Sequence, residues 1–206
     1  MSTRSFLGSV LTFSLVAPSL VLAWACSQSP SSGGDDGIAH ATAAEELQGS
    51  WQSNCRDAEK FGLTESSKLE VTGTSAVQVT SASSTGSCGT TAVVITQNAR
   101  FSAGSANGQG RALDITVTAV KVKPLTETGV GILNLAAFCG ITDWQAGVER
   151  DVTGSTGGRS CFPQLPKTFY DIFSVDEGKL FFGKGDNSSQ ATRPQTIDKA
   201  RSFTRS

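Results

Sequence analysis

The chain has 206 residues, with 17 Lys and Arg against 18 Asp and Glu, one His and five Cys, for a net charge of −1. That balance, with no basic cluster, excludes the electrostatic footprint of a nucleic-acid binder. The lone His40, and the lack of a Gly-x-Ser-x-Gly elbow, a phosphate loop, a CxxC pair or closely spaced metal ligands, point away from an enzyme and from any metal or cofactor.

In chain order, the first element is an apolar run from Phe6 to Leu22, preceded by Arg4 and closed by Ala23-Trp24-Ala25-Cys26. A positive start, an apolar stretch and a small-residue cleavage site are the three parts of a secretory signal. A spanning helix needs about 20 consecutive apolar residues, and Ser9, Thr12, Ser14, Pro18 and Ser19 interrupt this run. Ordinary cleavage after Ala25, leaving Cys26 as a free thiol, is compatible with the motif, because a bulky Trp24 sits two residues before it. Cysteine arithmetic favours acylation. Without Cys26 four cysteines remain, an even set that can pair completely in an exported chain. Residues 1–25 are therefore read as a lipoprotein signal peptide, and 26–40 as a lipidated Cys26 followed by a flexible Ser/Gly/Asp tether. Each buried methylene contributes about 0.8 kcal/mol, so several acyl chains on Cys26 would hold the protein on a lipid bilayer. The expected location is the bacterial cell envelope, and Ser27 after Cys26 points to the outer membrane.

Residues 41–206 read as one β-barrel domain. Leu47–Cys55 is an opening strand with Trp51 inward. Segments 68–72 and 76–80 alternate about Gly73-Thr74-Ser75, a hairpin signature. After a Ser/Gly turn ending at Cys88, a strand resumes at Thr91 and extends towards Phe101. From Arg111 to Val122 the alternation is clearest, with Leu113, Ile115 and Val117 on one side. It then slips by one residue to Val120 and Val122, which predicts a bulge, and Pro124 ends the strand. A short helix over 126–138 is expected, capped by Thr126 and weakened by Gly129 and Gly131. The last third is a meander: 168–175 and 179–183 flank Asp176-Glu177-Gly178, and 196–204 is a final strand. Eight or nine sequential strands with short connections favour an antiparallel up-and-down barrel over a sandwich. The fold class is mainly β, with a short helix and a disulfide-stapled loop. Of the three ways to pair Cys55, Cys88, Cys139 and Cys161, joining sequence neighbours is preferred.

Gly49-Ser50-Trp51 resembles the start of the first strand in lipocalins, where a basic residue after the last strand packs over the tryptophan. That resemblance gives the role to Arg201 or Arg205. More broadly, Leu47-Gln48-Gly49-Ser50-Trp51-x-Ser53-x-Cys55, Cys139-Gly140-x-Thr142-Asp143-Trp144, Asp151-Val152-Thr153-Gly154, Tyr170-Asp171-Ile172 and Leu180-Phe181-Phe182-Gly183 are similar to lipocalin-like lipoproteins of Gram-negative bacteria. The likeness implies a barrel and surface placement and no particular activity.

Two functions follow. A barrel of about eight strands has room for side chains or one small ligand. Phe61, Phe101, Phe138, Tyr170 and Phe181, together with the candidate contacts Trp144, Phe169, Phe173 and Phe182, could line an apolar mouth or simply fill the core. The first function is thus a membrane-anchored barrel that binds a small apolar ligand. The alternative is an envelope lipoprotein with no cavity, which presents its Gly/Ser/Thr-rich loops to a protein or glycan. Asp143 and Asp171, each beside an aromatic, are read as capping or turn residues rather than catalytic ones.

Overall fold

A computed structural model describes residues 45–58, 63–84, 86, 88–155, 157, 161–162 and 164–206. The signal segment, Cys26, the tether, His40 and Phe61 lie outside them. In chain order the elements are β1 (Gly49–Ser53), β2 (Arg56–Asp57), β3 (Thr64–Thr72), β4 (Ser75–Ser83), β5 (Thr91–Asn107), β6 (Gly110–Pro124), α1 (Glu127–Leu135), β7 (Arg150–Asp151), β8 (Lys167–Asp176), β9 (Lys179–Gly183) and β10 (Ile197–Arg205). Eight strands close on themselves, all antiparallel, in the order β1-β3-β4-β5-β6-β8-β9-β10 and back to β1. The expected barrel is therefore closed rather than a sandwich, and closure leaves no open sheet edge. The two-residue β2 and β7 extend β3 and β6.

Tight turns set the registers. Thr72 pairs with Ser75 across Gly73-Thr74, and Asp176 pairs with Lys179 across Glu177-Gly178, whose φ angles of 48° and 73° suit a mirror-image two-residue hairpin. Opposite Asn98 and Ala99 on β5 stand Ala119 and Val117, so Thr118 is the extra residue of the predicted bulge. The bulge returns Val120 and Val122 to the inner face already occupied by Leu113, Ile115 and Val117.

On β4 the register overrides hydrophobicity. The two-residue turn sets Ala76 opposite Val71 and Gln78 opposite Leu69, so these small and polar residues face inward. Val77 and Val79 are thereby turned to the outer face beside Lys68 and Glu70, where Val77 is 37% exposed.

The described part of the β6–β8 connection, residues 125–155, folds back over one end of the barrel. Thr126 caps α1 by accepting from the Gly129 amide at 3.1 Å. Gly129 is needed there for contact, since a Cβ would overlap the carbonyl oxygen of Ala92 on β5. After α1, Ala137 and Cys139 adopt φ of 43° and 56°, left-handed values that each cost on the order of 1 kcal/mol. The Cys139–Cys161 disulfide and the burial of Phe138 hold that turn in place. Further along, Val152 donates to the Val120 carbonyl at 2.9 Å and the Val120 amide donates to Thr153 Oγ1 at 3.0 Å. These bonds cover the part of β6 that runs past β8.

Two apolar clusters result. One, around Leu47, Trp51, Leu69, Val71, Phe101, Leu113, Phe173 and Leu180, fills the end where β1 begins. The other joins inner residues of β5 and β6 (Val93, Val120, Val122) to Leu133, Phe138, Trp144 and Val152 of the connection, which acts as a plug. The second disulfide pairs Cys55 with Cys88, so the four cysteines pair as sequence neighbours.

Candidate functional site: the barrel interior

The floor is built around Trp51, which is fully buried and donates through Nε1 to the Leu47 carbonyl at 2.8 Å. The Arg205 guanidinium lies 4.5 Å from the centroid of its ring and also donates to the Glu46 carbonyl at 3.4 Å. Of the two arginines considered, Arg205 takes the position over the tryptophan.

Above the floor lies a cavity of about 80 Å³. β3 contributes Leu69 and Val71, β4 Ala76 and Gln78, and β5 Gln97, Ala99 and Phe101. β6 adds Leu113, Ile115 and Val117, β9 adds Phe182, and Leu47 completes the lining. Its surface is mainly apolar, and no charged side chain is among the lining residues. The size is about half that of an apolar cavity known to take benzene, which is about 150 Å³. A whole long acyl chain is too large for the space as it stands.

One wall is polar. Gln78 and Gln97 are direct cross-strand partners, which puts their Cβ atoms about 5 Å apart on the inner face. Gln78 Nε2 donates to Ser67 Oγ at 3.4 Å and to Thr80 Oγ1 at 3.3 Å, while those hydroxyls share a bond of 2.8 Å. Ser67 is buried. Among the described residues, neither Gln78 Oε1 nor the Gln97 amide has a hydrogen-bond partner.

The four candidate aromatics do not converge. Phe182 lines the cavity and meets Phe203 edge-to-face at 5.7 Å. Phe173, its cross-strand partner, is fully buried in the floor cluster without lining the space. Trp144 and Phe169 belong to the plug cluster instead, with Trp144 6.3 Å from Phe138. Phe101 is a further aromatic in the lining. Tyr170 stacks beneath Arg193 at 5.5 Å, and Phe181 takes the outward phase of β9. The glutamines and hydroxyls of the polar wall are the part sequence reasoning missed; the two-residue β3–β4 turn was the signal that could have placed them.

Neither weighed carboxylate reaches the cavity lining. Asp143 is paired with Arg150 at 2.9 Å, and that hydrogen bond holds its carboxyl below the usual value. Arg150 also lies 5.7 Å from the Trp144 ring, so the pair braces the plug. Asp171 is buried, and burial pushes its carboxyl up despite donors from Ile172 (2.7 Å), Gly183 (3.0 Å) and Asn187 (3.2 Å). Arg193 donates to the Asp171 carbonyl at 2.8 Å and pairs with Asp114 at 2.6 Å. Asp171 thus ties β8 to the β9–β10 connection.

Among the described residues, no group of three or more His, Cys, Asp or Glu side chains is placed to hold a metal ion, and no helix is long and apolar enough to cross a membrane. No protein-family model and no curated protein matches the chain.

Proposed function

We propose that the chain is an exported lipoprotein, held on the cell envelope through acylated Cys26, whose barrel holds a small apolar molecule and performs no reaction. The observation that carries the binding half is the cavity of about 80 Å³ with a mainly apolar lining inside a closed barrel. Interiors normally pack with few voids larger than a water molecule, so an unfilled apolar space bounded by Ala76 and Ala99 is suited to an occupant. The occupant is small, on the order of four or five heavy atoms by comparison with known cavities. The anchoring half is supported by the cysteines: two disulfides use the other four and leave Cys26 as the fifth.

The anchor is tested by the mass of the amino-terminal peptide after expression with the signal intact in a Gram-negative host. A diacylglyceryl adduct on Cys26, lost in Cys26→Ser, is expected; a free thiol there would overturn this half. For the binding half, Cys26→Ser protein is purified without detergent and heated in a sealed vial for headspace gas chromatography. A single volatile apolar compound near one equivalent is expected. No compound, together with no uptake of added short-chain molecules, would favour the interaction lipoprotein instead. Leu135, 93% exposed at the end of α1, is a contact that such a module would use.

A further inference from the structure

We infer that the occupant is electrically neutral and carries one hydrogen-bonding group, the class of a short-chain alcohol, ketone or amide rather than a carboxylate or a pure hydrocarbon. This rests on the binding function proposed above and narrows it. The polar group comes from Gln97 and Gln78, adjacent on neighbouring strands and both in the cavity wall. Gln78 spends its amide hydrogens on Ser67 and Thr80. What remains is an acceptor at Gln78 Oε1, and a donor and an acceptor on Gln97, none with a partner among the described residues. Both residues are half-buried, and an occupant that covered these atoms without a polar group would leave them unpaired, which is costly; one ligand hydroxyl or carbonyl within reach satisfies them.

The charge argument is independent. No Lys, Arg or His lines the space. A carboxylate in the cavity would lose its hydration with no cation to replace it.

β4 supplies a third argument. Its register turns Gln78 to the cavity wall and Val77 and Val79 to the outer face, against the hydrophobic preference of all three. Local departures from good patterning concentrate at functional sites, where another requirement outweighs stability. Lining the cavity with an amide is such a requirement.

The test uses the full exported chain carrying Cys26→Ser, with both disulfides formed, titrated at neutral pH with 1-butanol, butyrate and xenon. The readout is the NMR shifts of the cavity methyls and of the Gln78 and Gln97 side-chain amides. Butanol is expected to bind and move the Gln97 amide, and butyrate to bind at least 100-fold more weakly, as expected for an unpaired buried charge. In Gln97→Leu, butanol affinity is expected to fall about 5-fold, the loss of one hydrogen bond, while xenon binding persists and shows the variant to be folded. Butyrate binding as well as butanol, or butanol binding that leaves the Gln97 amide unmoved, overturns the inference while the cavity function stands. If neither butanol nor xenon binds the parent protein, the cavity function itself fails.

Discussion

Filling the cavity should stabilise the protein, and Ala76→Leu is the substitution that does so with least disturbance. Ala76 points inward from β4 opposite Ala99, and both border the space. Removing an 80 Å³ void at about 24 cal/mol per Å³ is worth about 2 kcal/mol. Counting instead three added carbons at about 0.8 kcal/mol each leads to a similar figure. Fixing the leucine rotamer costs about 0.5–1 kcal/mol, which leaves a net gain of about 1.5 kcal/mol. For a domain of this size that corresponds to a rise in Tm of about 3–6 °C. Ala103→Leu is the control. Ala103 is buried in the floor cluster and does not border the cavity, so the same addition overpacks it and should cost about 1–3 kcal/mol. Urea titration followed by tryptophan fluorescence, with the disulfides intact, measures both. If Ala76→Leu is as destabilising as Ala103→Leu, the space is not there to be filled and the reasoning fails.

Other perturbations test the plug, the floor and the buried carboxylate. Gly129→Ala should destabilise by about 2 kcal/mol or more in the same titration, although alanine gains about 1 kcal/mol in helix propensity, because its methyl meets the Ala92 carbonyl. Replacing both Cys139 and Cys161 by serine opens a link spanning 22 residues and should cost about 3 kcal/mol by loop entropy. Amide exchange should show the loss first in residues 125–155 and last around Trp51. Arg205→Ala should cost about 1 kcal/mol by removing the cation over the buried indole, with a shift in tryptophan emission as the local check. Asp171 has a native pKa raised above its ordinary 3.8, chiefly by burial, so the native state takes up this proton before the unfolded chain does. Its contribution is therefore fully present below about 3.8 and is lost as pH rises through the raised native value. The stability of the wild type minus that of Asp171→Asn should accordingly decline across that window in urea titrations at stepped pH. The lowered pKa values of Asp143, Asp151 and Asp186 act in the opposite direction but are common to both proteins. A pH-independent difference would contradict the assignment.

Much of the barrel was legible because its signals are local. The phase slip after Val117 announced the bulge at Thr118, since a period of two leaves no other way to keep Val120 and Val122 on the inner face. Asp176-Glu177-Gly178 and Gly73-Thr74-Ser75 marked their hairpins through turn chemistry, although Asp176 and Ser75 prove to be the paired strand ends that flank two-residue turns. The pairing of Trp51 with a C-terminal arginine came from the resemblance at Gly49-Ser50-Trp51 rather than from a local signal, and separating Arg205 from Arg201 required the register of β10. The binding wall was harder to read. Hydrophobicity alone turns Val77 and Val79 inward, and only the register imposed by the β3–β4 turn puts Gln78 inside. Trp144 and Phe169 look like their neighbours in sequence; their place in the plug depends on residues 125–155 folding back over β5 and β6, a long-range event that no local pattern encodes. The helix glycine shows the same limit. Propensity counts Gly129 against α1, whereas packing on Ala92 requires it.

The central claim, an apolar space inside the closed barrel that a small molecule can enter, is tested most directly by a crystal structure of the detergent-free protein under xenon pressure. Xenon is predicted between Phe101, Leu113 and Phe182, beside Ala76 and Ala99. An interior closed by those side chains, with no xenon site, would contradict the account.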